Sequence, residues 1–103
     1  MPAPKTPPAP GLGDVVLYRL TEDDAADVER RRADWQASPS ARWGYQAHVG
    51  NPVRAESVYA ATVVSVSGPS TVNLTVLLDG TDTLWVRSAS EGTGPGTWAR
   101  PPA

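Results

Sequence analysis

Apolar and polar residues alternate most strictly over residues 71–87, TVNLTVLLDGTDTLWVR, where Val72, Leu74, Val76 and Leu78 occupy every second position. That period marks a strand with one buried face. Asp79-Gly80 follows, a dipeptide suited to the positive φ of a tight hairpin, and Leu84, Trp85 and Val86 lead the chain back. With Leu84 and Val86 turned inward, Trp85 stands on the outer face beside Asn73 and Thr75.

The same pattern places the other strands. Residues 14–20, DVVLYRL, alternate Val16, Tyr18 and Leu20 with Val15, Leu17 and Arg19, so both faces are partly covered, and Gly13 permits the bend that enters them. Residues 58–67, VYAATVVSVS, predict a long strand with Val58, Ala60, Thr62, Val64 and Val66 on one face. Tyr45, Ala47 and Val49 suggest a short strand closed by Gly50-Asn51-Pro52, and residues 97–99 a last one after the wide glycine-rich loop at 91–96.

One stretch has helical character. Residues 21–37, TEDDAADVERRRADWQA, open with Thr21 as a cap and Asp24 three residues later as a short capping box. Glu22, Asp23 and Asp24 suit the positive end of the helix dipole. The apolar stripe is thin, with Val28, Trp35 and a few alanines, so the helix packs lightly or serves an interface. The triplet Arg30, Arg31, Arg32 lies among acids at helical spacing and reads as a solvated, salt-bridged face.

Strands without βαβ alternation, and one helix after the first, predict a mainly β, α+β fold. The expected architecture is a small, partly open antiparallel β-barrel with the helix across one mouth, spanning residues 14–100. A curled sheet completed by a second subunit is the alternative. Five of the first ten residues are proline, so residues 1–13 are expected to form a flexible, polyproline-like arm.

Composition narrows the function. A core drawn from so short a chain yields only a few kcal/mol of net stability, which makes a homo-oligomer an expectation. The 103 residues contain no cysteine, so disulfides and thiolate metal sites are excluded. A net charge of −2 argues against general nucleic-acid binding. No apolar run is long enough for a membrane span and the start lacks a signal-peptide core, so the expected location is the cytoplasm, with no membrane partner.

Catalytic chemistry finds little support. His48 is the single imidazole, no ligand spacing indicates a metal, and no cofactor is expected. Asp79 is followed by Thr81 where an aspartate-based phosphotransferase needs a second Asp, so Asp79 and Asp82 read as turn residues. The loop around Gly92, Gly94 and Gly96 has no phosphate-loop lysine and is at most a weak anion cradle.

The aromatics say more. All seven are Trp or Tyr, residue types suited to sites apolar on one side and wet on the other. Trp43 and Trp98 fall in loop-rich stretches, where they either plug the barrel ends or offer rings for stacking. Together with Tyr45, His48, Asn73, Trp85, Arg87 and Arg100 they make up the candidate ligand-binding set, with Arg42 and Arg54 as further cations.

Several motifs carry a resemblance. These are GDVVLY at 13–18, ERRRAD at 29–34, HVGN at 48–51, the NLTVLLDGTDTLWVRS run at 73–88 and EGTGPGTW at 91–98. Together they resemble a family of small, uncharacterised phage and prophage proteins of actinobacteria. The resemblance implies a viral accessory role. Two functions are compatible with it: a non-enzymatic module that binds and sequesters a small nucleotide-like ligand, such as a host immune signal, or a structural or interaction protein of the phage particle.

Overall fold

The computed structural model describes residues 9–37 and 50–102. Its elements run β1 (Val15–Arg19), α1 (Glu22–Ala37), β2 (Val58–Val66), β3 (Thr71–Leu77), β4 (Thr83–Glu91) and β5 (Thr97–Ala99). The five strands close into a barrel in sequential order, so the ring is more complete than the sequence predicts. Every pairing is antiparallel except β4 with β5, where Ser90 opposes Thr97 and Glu91 opposes Trp98 in parallel. Three-residue β5 closes the ring by also pairing with β1, Tyr18 opposite Trp98. The short strand expected at Tyr45, Ala47 and Val49 lies outside the described residues.

The inner face of β3 is the one its alternation predicts: Val72, Leu74 and Val76 are fully buried, and Leu78 just beyond the strand nearly so. Each such aliphatic side chain contributes on the order of 1.5–3 kcal/mol by leaving water. They meet Val16 and Tyr18 from β1, Ala61 and Val63 from β2, and Leu84 and Ala89 from β4. The face of β2 carrying Val58, Ala60 and Thr62 is therefore the outer one, and beyond the bulge the alternation shifts so that Val66 lies opposite buried Val72. Pairing of Ala61 with Val76 and of Val16 with Ala61 fixes that choice.

Two bulges curl the sheet at one level. Between Val63 and Ser65 the β2 strand carries an extra residue opposite β3, and β4 does the same between Val86 and Ala89. Both lie beside Asn73. Its side-chain Oδ1 accepts the backbone N–H of Ser88 at 2.8 Å, where Ser88 takes a positive φ of 53°. A bulge bends a strand and sharpens its twist, as closing a small barrel requires.

The Asp79-Gly80 connection is not the two-residue hairpin its sequence suggests. β3 ends at Leu77 and β4 begins at Thr83, and Gly80 is not among the glycines of positive φ, which are Gly13 and Gly96. Gly80 is needed for room instead. Its backbone lies so close to Gly50 that a Cβ on Gly50 would sit 2.2 Å from the Asp79 carbonyl oxygen and 2.6 Å from the Gly80 Cα. The Asn51 N–H donates to the Asp79 carbonyl at 2.8 Å, and Asn51 Nδ2 to Asp79 Oδ2 at 2.6 Å.

Helix α1 starts as its sequence predicts. Thr21 Oγ1 accepts the Asp24 N–H at 2.9 Å while Asp24 Oδ2 accepts the Thr21 N–H at 3.0 Å, a reciprocal cap. The same carboxylate oxygen accepts the Tyr18 hydroxyl at 2.6 Å, tying the helix start to β1. Ala25, Val28 and Arg32 are the residues α1 buries, at the barrel end where Leu20, Val53 and Leu78 also lie buried. Trp35 is largely exposed.

Arg32 corrects the reading of the arginine triplet. Arg30 and Arg31 do pair with Asp27 on the exposed face. Arg32 instead is only 6% exposed, and its fork donates Nε to Asp82 Oδ2 and Nη2 to Asp82 Oδ1, both at 2.9 Å. Nη1 donates to the Asn51 carbonyl at 2.8 Å. These hydrogen bonds hold the Asp82 carboxyl below its usual range and push the Arg32 guanidinium further up.

At the chain's start Pro10 is buried and the Gly13 N–H donates to the Val63 carbonyl at 2.8 Å, so residues just before β1 already contact the barrel.

Candidate functional site

The cross-strand register assembles a continuous outer face. Val15 of β1 opposes Thr62 of β2, Thr62 opposes Thr75 of β3, and Thr75 opposes Trp85 of β4. Beside that row Leu77 opposes Thr83, and Val64 lies on the other flank at the β2 bulge. Trp85 is 60% exposed, and Val15, Leu77 and Val64 stand open to water with it. Apolar rings and branched chains in water are costly singly, and contiguous ones mark interaction surfaces.

The Arg87 guanidinium lies over the Trp85 ring, its carbon 5.8 Å from the centroid. The two residues are neighbours on one face of β4, because alternate positions of a strand point the same way. Such a contact is worth about 0.5–1 kcal/mol at an exposed site and holds the cation in one place. Asn73 lies next to this pair, with its Oδ1 engaged by the Ser88 N–H. Of the sequence-predicted site, Asn73, Trp85 and Arg87 therefore come together.

Trp98 does not join them. It lies in β5, the short last strand that the sequence suggests at 97–99, is 0% exposed, and points into the core, where its Nε1–H donates to the Ser70 carbonyl at 3.0 Å. A ring with no open face has nothing to offer a ligand arriving from solvent. Arg100 follows it, its guanidinium carbon 5.7 Å from the Trp98 ring centroid. Trp43, Tyr45 and His48, with Arg42, lie outside the described residues.

Three amides of the glycine-rich loop are taken up by the protein's own carbonyls. The Gly92 N–H donates to the Trp98 carbonyl, the Gly96 N–H to the Arg19 carbonyl and the Thr97 N–H to the Gly94 carbonyl. Arg19 reaches back with Nε to the Thr93 carbonyl at 3.1 Å and with Nη1 to the Glu56 carbonyl at 2.7 Å. Among the described residues, no helix is long and apolar enough to cross a membrane.

Sequence reasoning read both faces of residues 14–20 as partly covered but placed none of Val15, Val64 and Leu77 in the site. For Leu77 the available signal was an apolar residue on the polar alternation of Asn73 and Thr75. No family model, no characterised protein and no solved structure matches this chain.

Proposed function

We propose that this protein is a non-enzymatic binding module that engages a protein partner through the outer face of β3 and β4, centred on Trp85. One observation carries the reading: a tryptophan 60% exposed stands opposite Thr75 and diagonal to exposed Leu77 on the hydrogen-bonded sheet of a closed barrel. Exposed aromatics on a preorganised scaffold are the residues that dominate interface energetics. The surface of a closed barrel is convex, and convex surfaces suit protein partners better than small ligands, which take concave sites. In line with the resemblance to phage proteins, the module acts as a phage-encoded accessory or particle component in the host cytoplasm.

Site-specific photo-cross-linking tests it. A benzophenone side chain at Thr75 is expected to give a covalent adduct with a protein, and the same probe at Asp23 on the helix none. Adducts from Asp23 without any from Thr75 contradict the reading.

A second reading rests on the Arg87–Trp85 contact. A flat ring stacked on Trp85 with its phosphate on Arg87 describes a nucleotide-like ligand, and sequestering one would make the protein an anti-defence factor. Thermal-shift measurements against linear and cyclic nucleotides test it: a shift present in the native chain and absent from Trp85→Ala supports it, and no shift with any of them removes it.

A further inference from the structure

The binding face differs in charge from the rest of the molecule. The chain carries a net charge of −2, yet β1, β2 and β3 contain no acidic residue, and β4 has only Glu91 at its far end. Glu22, Asp23, Asp24, Asp27, Glu29 and Asp34 are all on α1, while at the face's edges Asp14 accepts the Gly11 N–H, Asp79 accepts Asn51 Nδ2 and Asp82 is held by Arg32. The strands hold two cations, Arg19 and Arg87. Arg19 is committed to the Thr93 and Glu56 carbonyls, and Arg31 of α1 to Asp27 and, at the edge of β4, to the Thr83 carbonyl, so Arg87 is the strand cation this face presents, set against the Trp85 ring.

Resting on the binding-module reading above, we infer that the partner segment is both acidic and apolar, and that Arg87 selects it. One aliphatic or aromatic side chain of the partner packs on Trp85 and Leu77, and a neighbouring carboxylate meets the Arg87 guanidinium. Stacking fixes the guanidinium in place, so little freedom is lost when the carboxylate arrives. Charge complementarity of this kind sets which partner is accepted and how fast it docks.

The same census disfavours other occupants. A second copy placed face to face would oppose Arg87 and Arg19 to themselves with no strand carboxylate between β1 and β3 to meet them. A nucleic-acid strand needs several cations to displace its counterions, and this face presents Arg87 amid Val, Thr and Leu. An anionic membrane makes the same demand for clustered basic residues.

Fluorescence anisotropy on the full chain tests the inference with two labelled twelve-residue peptides. One alternates glutamate with leucine around a central tryptophan, and the other has lysine for every glutamate. The glutamate peptide is expected to bind at least tenfold more tightly, to weaken with added salt, and to lose that preference in Arg87→Ala. Arg87→Glu should invert it. Equal binding of both peptides, lost in Trp85→Ala, overturns the acidic partner but keeps the binding face. Binding of neither peptide, or binding untouched by Trp85→Ala, overturns both. Tighter binding to a dT10 oligonucleotide or to phosphatidylglycerol vesicles than to the glutamate peptide, or a dimer that Trp85→Ala dissolves, also overturns the inference.

Discussion

The guanidinium of Arg32 and the carboxylate of Asp82 join the only helix among the described residues to the β3–β4 turn through two hydrogen bonds of 2.9 Å. Arg32 is the one charged side chain buried among those residues. Only Arg32 of the pair is buried, since the Asp82 side chain is 32% exposed, so the costly case is removing Asp82 and leaving the buried guanidinium uncompensated. Asp82→Ala should lower stability by about 2–4 kcal/mol in urea melts, while Arg30→Met on the exposed face should change it by less than about 0.5 kcal/mol.

The pair also sets an acid limit. The Asp82 carboxyl is held low by its hydrogen bonds to Arg32, so its stabilisation is complete above the unfolded value of about 3.9 and lost as pH falls through the lower folded value. Asp82→Asn should therefore be less stable than the native chain at pH 7, and the gap should narrow as the pH is taken below about 4. Urea midpoints of both proteins across that range measure it.

At the alkaline side Tyr18 takes over. Burial first, and then the hydrogen bond and charge of Asp24, push its phenol above the ordinary value near 10. A raised folded value means stability is complete below about 10 and lost as pH rises through the folded one. Tyr18→Phe should cost about 1 kcal/mol at pH 7 and should abolish the part of the alkaline loss that Tyr18 causes. Thermal melts between pH 8 and 11 give the comparison.

Gly50 faces Asp79 and Gly80 at a distance no Cβ tolerates, and the atoms it would strike are backbone. Gly50→Ala should therefore destabilise the protein by more than about 1 kcal/mol, a cost that ordinary Gly→Ala entropy gain cannot offset. A denaturant melt reads it directly.

These positions divide by how far apart their partners lie in sequence. The β3 face was legible because Val72, Leu74, Val76 and Leu78 are apolar and their neighbours Asn73 and Thr75 are polar. The cap of Thr21 and Asp24 was legible because its partners are three residues apart. Arg32 was not, since its partner Asp82 is fifty residues downstream and nothing local distinguishes it from Arg30 or Arg31. For β2, Tyr59, Ala61 and Val63 are as apolar as Val58, Ala60 and Val64, and only pairing with β1 and β3 decides which set turns inward. The strand at Trp98 was legible but its burial was not, because a parallel pairing with β4 and the Ser70 carbonyl, both distant in sequence, make it core. The Trp85 face was visible in outline from Asn73, Thr75 and Trp85; its breadth depended on register across four strands.

Two tryptophans should behave oppositely. Trp98→Ala removes a fully buried ring and its hydrogen bond to Ser70, so it should cost about 3–5 kcal/mol. Trp85→Ala takes away an exposed ring and should cost less than about 1 kcal/mol, most of it the contact with Arg87. Paired urea melts check both values.

That contrast frees Trp85 for the decisive measurement. Native mass spectrometry of the protein taken gently from the cells that make it reports what travels with each copy. The native chain should carry a bound protein, and Trp85→Ala, equally folded, should appear without it. A native chain that flies alone, or a bound partner retained unchanged by Trp85→Ala, would contradict the account.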